Sequence, residues 1–199
     1  TCFLTALTFS IERLLTIGKA KGTGDVNAFV RSIQASLDKD DSDAAIAACN
    51  KQKGSVGNVT LSAVKKYKQL TGDKSLDKEQ KLAALSKEVE EATSLEMPML
   101  EKHMTIISTL VSLGTLAGLL GTVTGMIKAF GALASAGTPD QAALANGISE
   151  ALINTAFGII GSTLAIISYN YFSNRIDTMT HSMDEAGYSI ISNFQANHG

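Results

Sequence analysis

Two stretches of 24 residues without a charged side chain, 104–127 and 151–174, decide what this chain can fold into. A helix of that length rises about 36 Å at about 1.5 Å per residue, enough to cross a hydrocarbon core of about 30 Å. Two such runs are hard to hide inside a chain of 199 residues. A soluble enzyme with two buried hairpin helices therefore fits poorly, and two membrane spans fit well.

The second run is sorted by size and polarity. Wound at about 100° per residue, Glu150, Ala151, Asn154, Thr155, Gly158, Gly161, Ser162, Ala165 and Ser168 fall on one arc of about 140°. Leu152, Ile153, Phe157, Ile159, Ile160, Leu164, Ile166 and Ile167 take the remainder. Small residues let helix backbones approach and polar ones need partners away from lipid, so this arc is expected to face protein or water. On the first run, Gly114, Gly118, Gly121 and Gly125 lie within about 60° of arc, a ridge suited to close helix contact. Thr115 and Thr122 flank that ridge. The ordinary fate of such a threonine is a hydroxyl bonded back to a carbonyl one turn earlier.

Charge sets the orientation. Of 17 Lys and Arg, 15 lie between Arg13 and Lys102; only Lys128 and Arg175 remain, both near ends of apolar runs. Basic residues concentrate on the cytoplasmic side of a membrane, which places the polar region before residue 104 inside and the short connection after the first run outside. The expected fold class is all-α, a polytopic membrane protein whose long helices extend into a cytoplasmic helical bundle.

The expected order is the inner end of a first, truncated span over 1–17, a cytoplasmic helical domain over 18–103 and a second span over 104–130. A periplasmic loop over 131–146, a third span over 147–172 and a cytoplasmic amphipathic helix over 173–199 follow. Three spans result. Glu12 and Arg13 mark the inner interface of the first, and Lys128 and Phe130 suit the outer interface of the second. The connection carries Gly137, Pro139 and Asp140 and no basic residue.

Within the polar region, Asp25 caps a helix burying Phe29, Val30, Ile33 and Leu37, and Asp41–Asp43 open a short Ala-rich helix. Asn58 or Thr60 opens another through Leu70, with turns expected at the Gly22–Gly24 and Gly54–Gly57 clusters and at Gly72. A fourth begins near Asp77 with the stripe Leu82, Leu85, Val89 and Ala92, and Pro98 is its only strong breaker. Glu88, Glu90 and Glu91 read as a solvated face. After Arg175, the residues Ile176, Met179, Met183, Ala186, Ile190 and Phe194 form a stripe suited to pack on these helices.

No catalytic constellation is visible, so the chain is not expected to be an enzyme. His103, His181 and His198 are scattered, and Cys2 and Cys49 offer neither metal-ligand spacing nor a disulfide framework. The string GLLGTVTG, 118–125, has the glycine density of a phosphate loop but lacks its Lys-Ser/Thr ending and sits in an apolar run.

The strings GLLGTVTGMIKAF, 118–130, and GISEALINTAFG, 147–158, together with the Glu-Arg pair closing the first apolar stretch, a Leu-Glu stretch before the second and YNYF closing the third, resemble the MotA/TolQ/ExbB proton-channel family, and its ExbB/TolQ branch in particular. The resemblance implies a pentamer in the bacterial inner membrane around single-span ExbD- or TolR-type helices, using proton flow to do work on TonB or TolA. It implies no cofactor, the proton being the coupling ion, and no nucleic acid partner. Carried over, it puts Thr122, Glu150 and Thr155 on the pore and leaves the proton-carrying aspartate to the partner. Thr115, Asn154, Gly158 and Ser162 become secondary pore or packing residues, and Gly114, Gly118, Gly121 and Gly125 helix-packing residues. This chain departs from many relatives in having Gly114-Thr115 for Ala-Pro, Leu164 for a proline, and the extra amide of Asn154.

Two readings of Glu150 stay open from pattern alone. A carboxylate in the first turn of a helix is stabilised by the positive end of the dipole, and a pore-facing carboxylate is functional. The competing function is a non-conducting scaffold that holds a partner helix through its glycine-rich spans.

Overall fold

The computed structural model describes residues 2–73, 75–135 and 141–197, and every regular element among them is an α-helix. In chain order these are α1 (Cys2–Ala20), α2 (Val26–Leu37), α3 (Ser42–Gln52), α4 (Gly54–Gly72), α5 (Lys78–Glu101), α6 (Met104–Ser135) and α7 (Gln141–Asn197). Thr1, Gly137, Pro139, Asp140 and His198 lie outside the described residues. The chain divides into two compact units, one formed by the chain up to Leu14 and His103–Ser173, the other by Leu15–Lys102 and the chain from Asn174.

The second unit is a helical bundle built from short capped helices. The Asp25 side chain accepts the Asn27 amide at the start of α2, and Asp41 accepts the Ala44 amide at the start of α3. Asp77 and Gln80 form a reciprocal capping box on α5. Each satisfies amides that the first turn leaves without a helical partner, worth about 1 kcal/mol per cap. Phe29, Val30, Ile33 and Leu37 are all buried, as the spacing requires.

The stripe Leu85, Val89 and Ala92 is buried, with Leu82 half-buried at its edge. Ile176, Met179, Met183, Ala186, Ile190 and Phe194 all face the bundle core. There the Phe194 ring meets Tyr67 edge-on at 5.0 Å, and Gly187 lies so close to Val89 that an added methyl would collide with Val89 Cγ1. Asn193 joins this half of α7 to Tyr67 and Asp38, and Ser189 joins it to Gln34. Burial of each large apolar side chain contributes about 1.5–3 kcal/mol, so this stripe holds the bundle more strongly than the polar contacts do.

Three sequence expectations need correction. Helix α4 starts at Gly54, not at Asn58 or Thr60, because the turn is confined to Lys53 and Gly54, at φ 55° and 71°. Gly57 is a helical residue packed 3.3 Å, as its added methyl, from the Cys49 carbonyl. Pro98 lies inside α5, and the helix breaks at Lys102 and His103, where His103 adopts φ 64°. The connection expected over 131–146 is helical on both flanks, since α6 runs to Ser135 and α7 begins at Gln141.

The first unit contains α6 and the first part of α7, with the start of α1 against them. Both α6 and α7 belong to helical stretches long and apolar enough to cross a membrane. Leu116, Leu120, Ile127, Leu152, Phe157 and Ile167 are all exposed on it. A soluble monomer rarely leaves such a continuous apolar surface to water. Arg13 is completely buried here, its guanidinium gripping the Glu12 carboxylate through Nε at 2.7 Å and Nη2 at 2.6 Å. His103 Nδ1 lies 3.1 Å from the same carboxylate, and its ring stands edge-on to Phe9.

Candidate functional site

The glycine ridge of α6 and the small, polar arc of α7 meet each other. Methyls placed on the ridge would lie 3.1 Å from Ala151 Cα at Gly125, 2.7 Å from Asn154 Cβ at Gly121, 3.0 Å from Gly158 Cα at Gly118 and 2.5 Å from Ser162 Oγ at Gly114. As the number on α6 falls, the number on α7 rises, so the helices run antiparallel. The contact continues at Gly147, where an added methyl would be 2.6 Å from Ala129 Cβ. Glycine is required here because backbone meets backbone: a methyl on Gly158 would be 2.7 Å from both the Gly114 carbonyl and Gly118 Cα.

Hydroxyls line one edge of this seam. Thr122 and Thr155 hydrogen-bond to each other, either one donating, and both hydroxyls lie within reach of the Gly118 carbonyl, at 3.2 Å and 3.3 Å, which takes the hydrogen of whichever one accepts within the pair. Seven residues away along both helices, the Thr115 hydroxyl donates to Ser162 Oγ at 2.9 Å. On the opposite edge a cleft of about 370 Å³ is lined by Phe3, Gly121, Asn154, Phe157 and Gly161 among others, and by none of these four hydroxyl residues.

The structure thus brings Thr122, Thr155, Thr115, Ser162, Gly158 and the four ridge glycines into one seam, with Asn154 at its border. Glu150 is set apart. It is exposed, makes no hydrogen bond or ion pair among the described residues, and is the tenth residue of α7 because that helix already begins at Gln141. The first-turn reading of Glu150 therefore fails: the dipole effect falls off within the first turn. The backbond expected for Thr122 is present, but the hydroxyl shares it with Thr155 across the seam. The Glu12, Arg13 and His103 cluster was not legible as a unit, since 90 residues separate its two parts.

Among the described residues no group of three or more His, Cys, Asp or Glu side chains is placed to hold a metal ion. The seam offers hydroxyls, a carbonyl and close backbones, chemistry suited to holding helices together and to hydrogen-bonding water.

Two helices long and apolar enough to cross a membrane, paired through glycines and hydroxyls, are the arrangement of an α-helical membrane protein. The family described as the MotA/TolQ/ExbB proton channel family matches residues 53–185, and the chain belongs to it. The Tol-Pal system protein TolQ of Pseudomonas aeruginosa is 31% identical over 124 residues, covering 62% of this chain and 54% of that protein. TolQ of Haemophilus influenzae is 36% identical over 88 residues, 44% of this chain and 39% of the relative. The biopolymer transport protein ExbB of Salmonella typhimurium is 29% identical over 85 residues, 43% and 35% respectively. The chain spans about half the length, or less, of these curated relatives.

Proposed function

We propose that this chain is an ExbB/TolQ-like subunit of a proton-driven motor in the bacterial inner membrane. Five copies form a ring around an ExbD- or TolR-type single-span partner, and the assembly turns proton-motive force into work on a TonB- or TolA-like protein. The observation that carries this reading is the Thr122–Thr155 hydroxyl pair across the α6–α7 seam, in a chain whose family is one of proton channels. Each hydroxyl both donates and accepts, so the pair relays a proton along hydrogen bonds, one entering as another leaves, and ends neutral.

In this reading α1 is the inner end of a first span, α6 and α7 are the second and third, and the capped bundle is cytoplasmic, on the side where 15 of 17 basic residues lie. The hydroxyl edge faces the lumen, with Glu150 nearer the outer mouth and Thr155 about one and a half turns deeper. The exposed leucines, isoleucines and phenylalanines of the hairpin meet lipid or the neighbouring copy. A proton crossing about 100 mV makes about 2.3 kcal/mol available per charge, and motion of the partner helix in the ring converts it to force. No enzymatic step, metal or cofactor enters; the proton is the coupling ion.

Native mass spectrometry of the chain extracted in detergent with whatever co-purifies tests the assembly: five copies and a small single-span protein are expected. A monomer with no companion would overturn the ring. The second reading is a non-conducting scaffold, favoured by the ridge of α6 seated on the arc of α7. Glu150→Gln separates the two, since a scaffold keeps full energised transport and a proton-coupled motor slows or stops.

A further inference from the structure

We infer that Thr115 and Ser162 form a second proton or water station, on the cytoplasmic side of the Thr122–Thr155 pair, so that the hydroxyl edge is a two-step path and not a single point. This rests on the proton-conducting reading above and goes beyond it by adding two residues that this chain supplies itself.

The geometry is a repeat. Thr122 pairs with Thr155 and Thr115 with Ser162, each member of the second pair seven residues from its counterpart on the same helix. Seven residues is nearly two turns, so both pairs emerge on the same edge of the seam, about 10 Å apart along it. The edge is open where it needs to be. Thr115 is exposed, whereas Ser162 is buried and fixed against Gly114, where an added methyl would meet its Oγ at 2.5 Å. One hydroxyl of the pair is thus anchored and the other presented.

Between the stations, Leu119 and Ile159 lie one turn from each pair and both are exposed. They make an apolar interval of about 10 Å, too long for a hydrogen bond between the pairs, so water on the open edge carries the proton from one pair to the other. Thr115 donates to Ser162 at 2.9 Å and has its own helix carbonyl, that of Val111, only at 3.4 Å. The cross-helix bond is the better of the two, which is not the pattern of a threonine that merely satisfies itself. A proton arriving on one oxygen leaves through the O–H of the other, so the pair returns to neutrality and no covalent bond to carbon changes.

The test compares Thr115→Val, which keeps the shape and removes the hydroxyl, with Thr115→Ser, which keeps the hydroxyl and removes a methyl. The full chain and its co-purified partner are placed in lipid vesicles holding a pH-sensitive dye, a potential is imposed with potassium and valinomycin, and proton entry is timed. Thr155→Val serves as the reference for the first station. The expected result is loss of at least about five-fold in flux for Thr115→Val, nearly full flux for Thr115→Ser, and an unchanged oligomer for both. A packing role reverses the order, with Val tolerated and Ser impaired, and overturns the inference. Full flux in Thr115→Val beside a silent Thr155→Val also overturns it while leaving the proposed function standing. Full flux in Thr155→Val as well removes both.

Discussion

Gly158→Ala is the most demanding test of the seam. The added methyl would lie 2.7 Å from the Gly114 carbonyl oxygen and from Gly118 Cα, both backbone, so no side chain can rotate out of its way. Reaching the 3.4 Å of ordinary contact requires α6 and α7 to part by about 0.7 Å. Overpacking of this kind costs about 1–3 kcal/mol. The Thr155 hydroxyl, 3.3 Å from the Gly118 carbonyl, moves to about 4 Å and loses that bond, a further loss of about 0.5–1.5 kcal/mol. Alanine returns about 1 kcal/mol in helix propensity, leaving a net destabilisation of about 0.5–3.5 kcal/mol. Thermal unfolding in detergent, followed by circular dichroism, should show a Tm lower by about 1–14 °C for a chain of this size. Gly18→Ala is the control: it is also helical but has nothing within 4 Å of the added methyl, and should be neutral or stabilising by up to about 1 kcal/mol. A Gly158→Ala protein that melts at or above the parent would refute the backbone-to-backbone contact.

Other perturbations probe the rest of the molecule. Arg13→Ala removes an enclosed guanidinium and its two bonds to Glu12, which is partly exposed and keeps His103 beside it, and should cost about 1–3 kcal/mol, mostly in lost packing, read as a lower Tm and a lower yield in membranes. Asp77→Ala removes one half of a capping box and should cost about 1 kcal/mol, measured by amide exchange at the start of α5. Burial pushes the Cys49 thiol up to about 12 from an ordinary 9.0, against a smaller opposing effect of a backbone hydrogen bond. The folded protein therefore keeps a proton that the unfolded chain loses. Stability from this group is intact below about pH 9 and falls from there to about 12, by at most about 1.4 kcal/mol per pH unit. Tyr67, raised mainly by burial, adds the same sign above pH 10.0. Unfolding measured from pH 8 to 11 should show this decline and a shallower one in Cys49→Ala; an equal slope would refute the thiol's part.

Much of the fold follows from local pattern. The stripe of α2, the caps at Asp25, Asp41 and Asp77, and the run from Ile176 to Phe194 need only periodicity and first-turn chemistry, and the structure shows each of them. What pattern could not supply is pairing. The ridge on α6 and the arc on α7 are each visible in sequence, yet nothing in either says that Gly118 meets Gly158. That match depends on how far the connection lets the helices slide. The helix starts escaped for a related reason: Gln141 lies nine residues before Glu150 in a stretch whose Gly, Ala and Asn residues give no strong helical stripe. The break at His103 escaped because a left-handed histidine has no composition signal, while Pro98 has one and breaks nothing. Arg13 shows the limit of reading charge as exposure: a guanidinium paired within hydrogen-bond distance can be buried whole.

The central claim is that protons pass along the hydroxyl edge of the α6–α7 seam. Proton flux into vesicles carrying the chain and its co-purified partner, under an imposed potential, tests it through Thr155→Val, which deletes one hydroxyl and little else. The prediction is a flux reduced to the level of empty vesicles, with the same oligomer by native mass spectrometry. Flux equal to the parent's in that variant would contradict the claim and leave the seam as a helix contact alone.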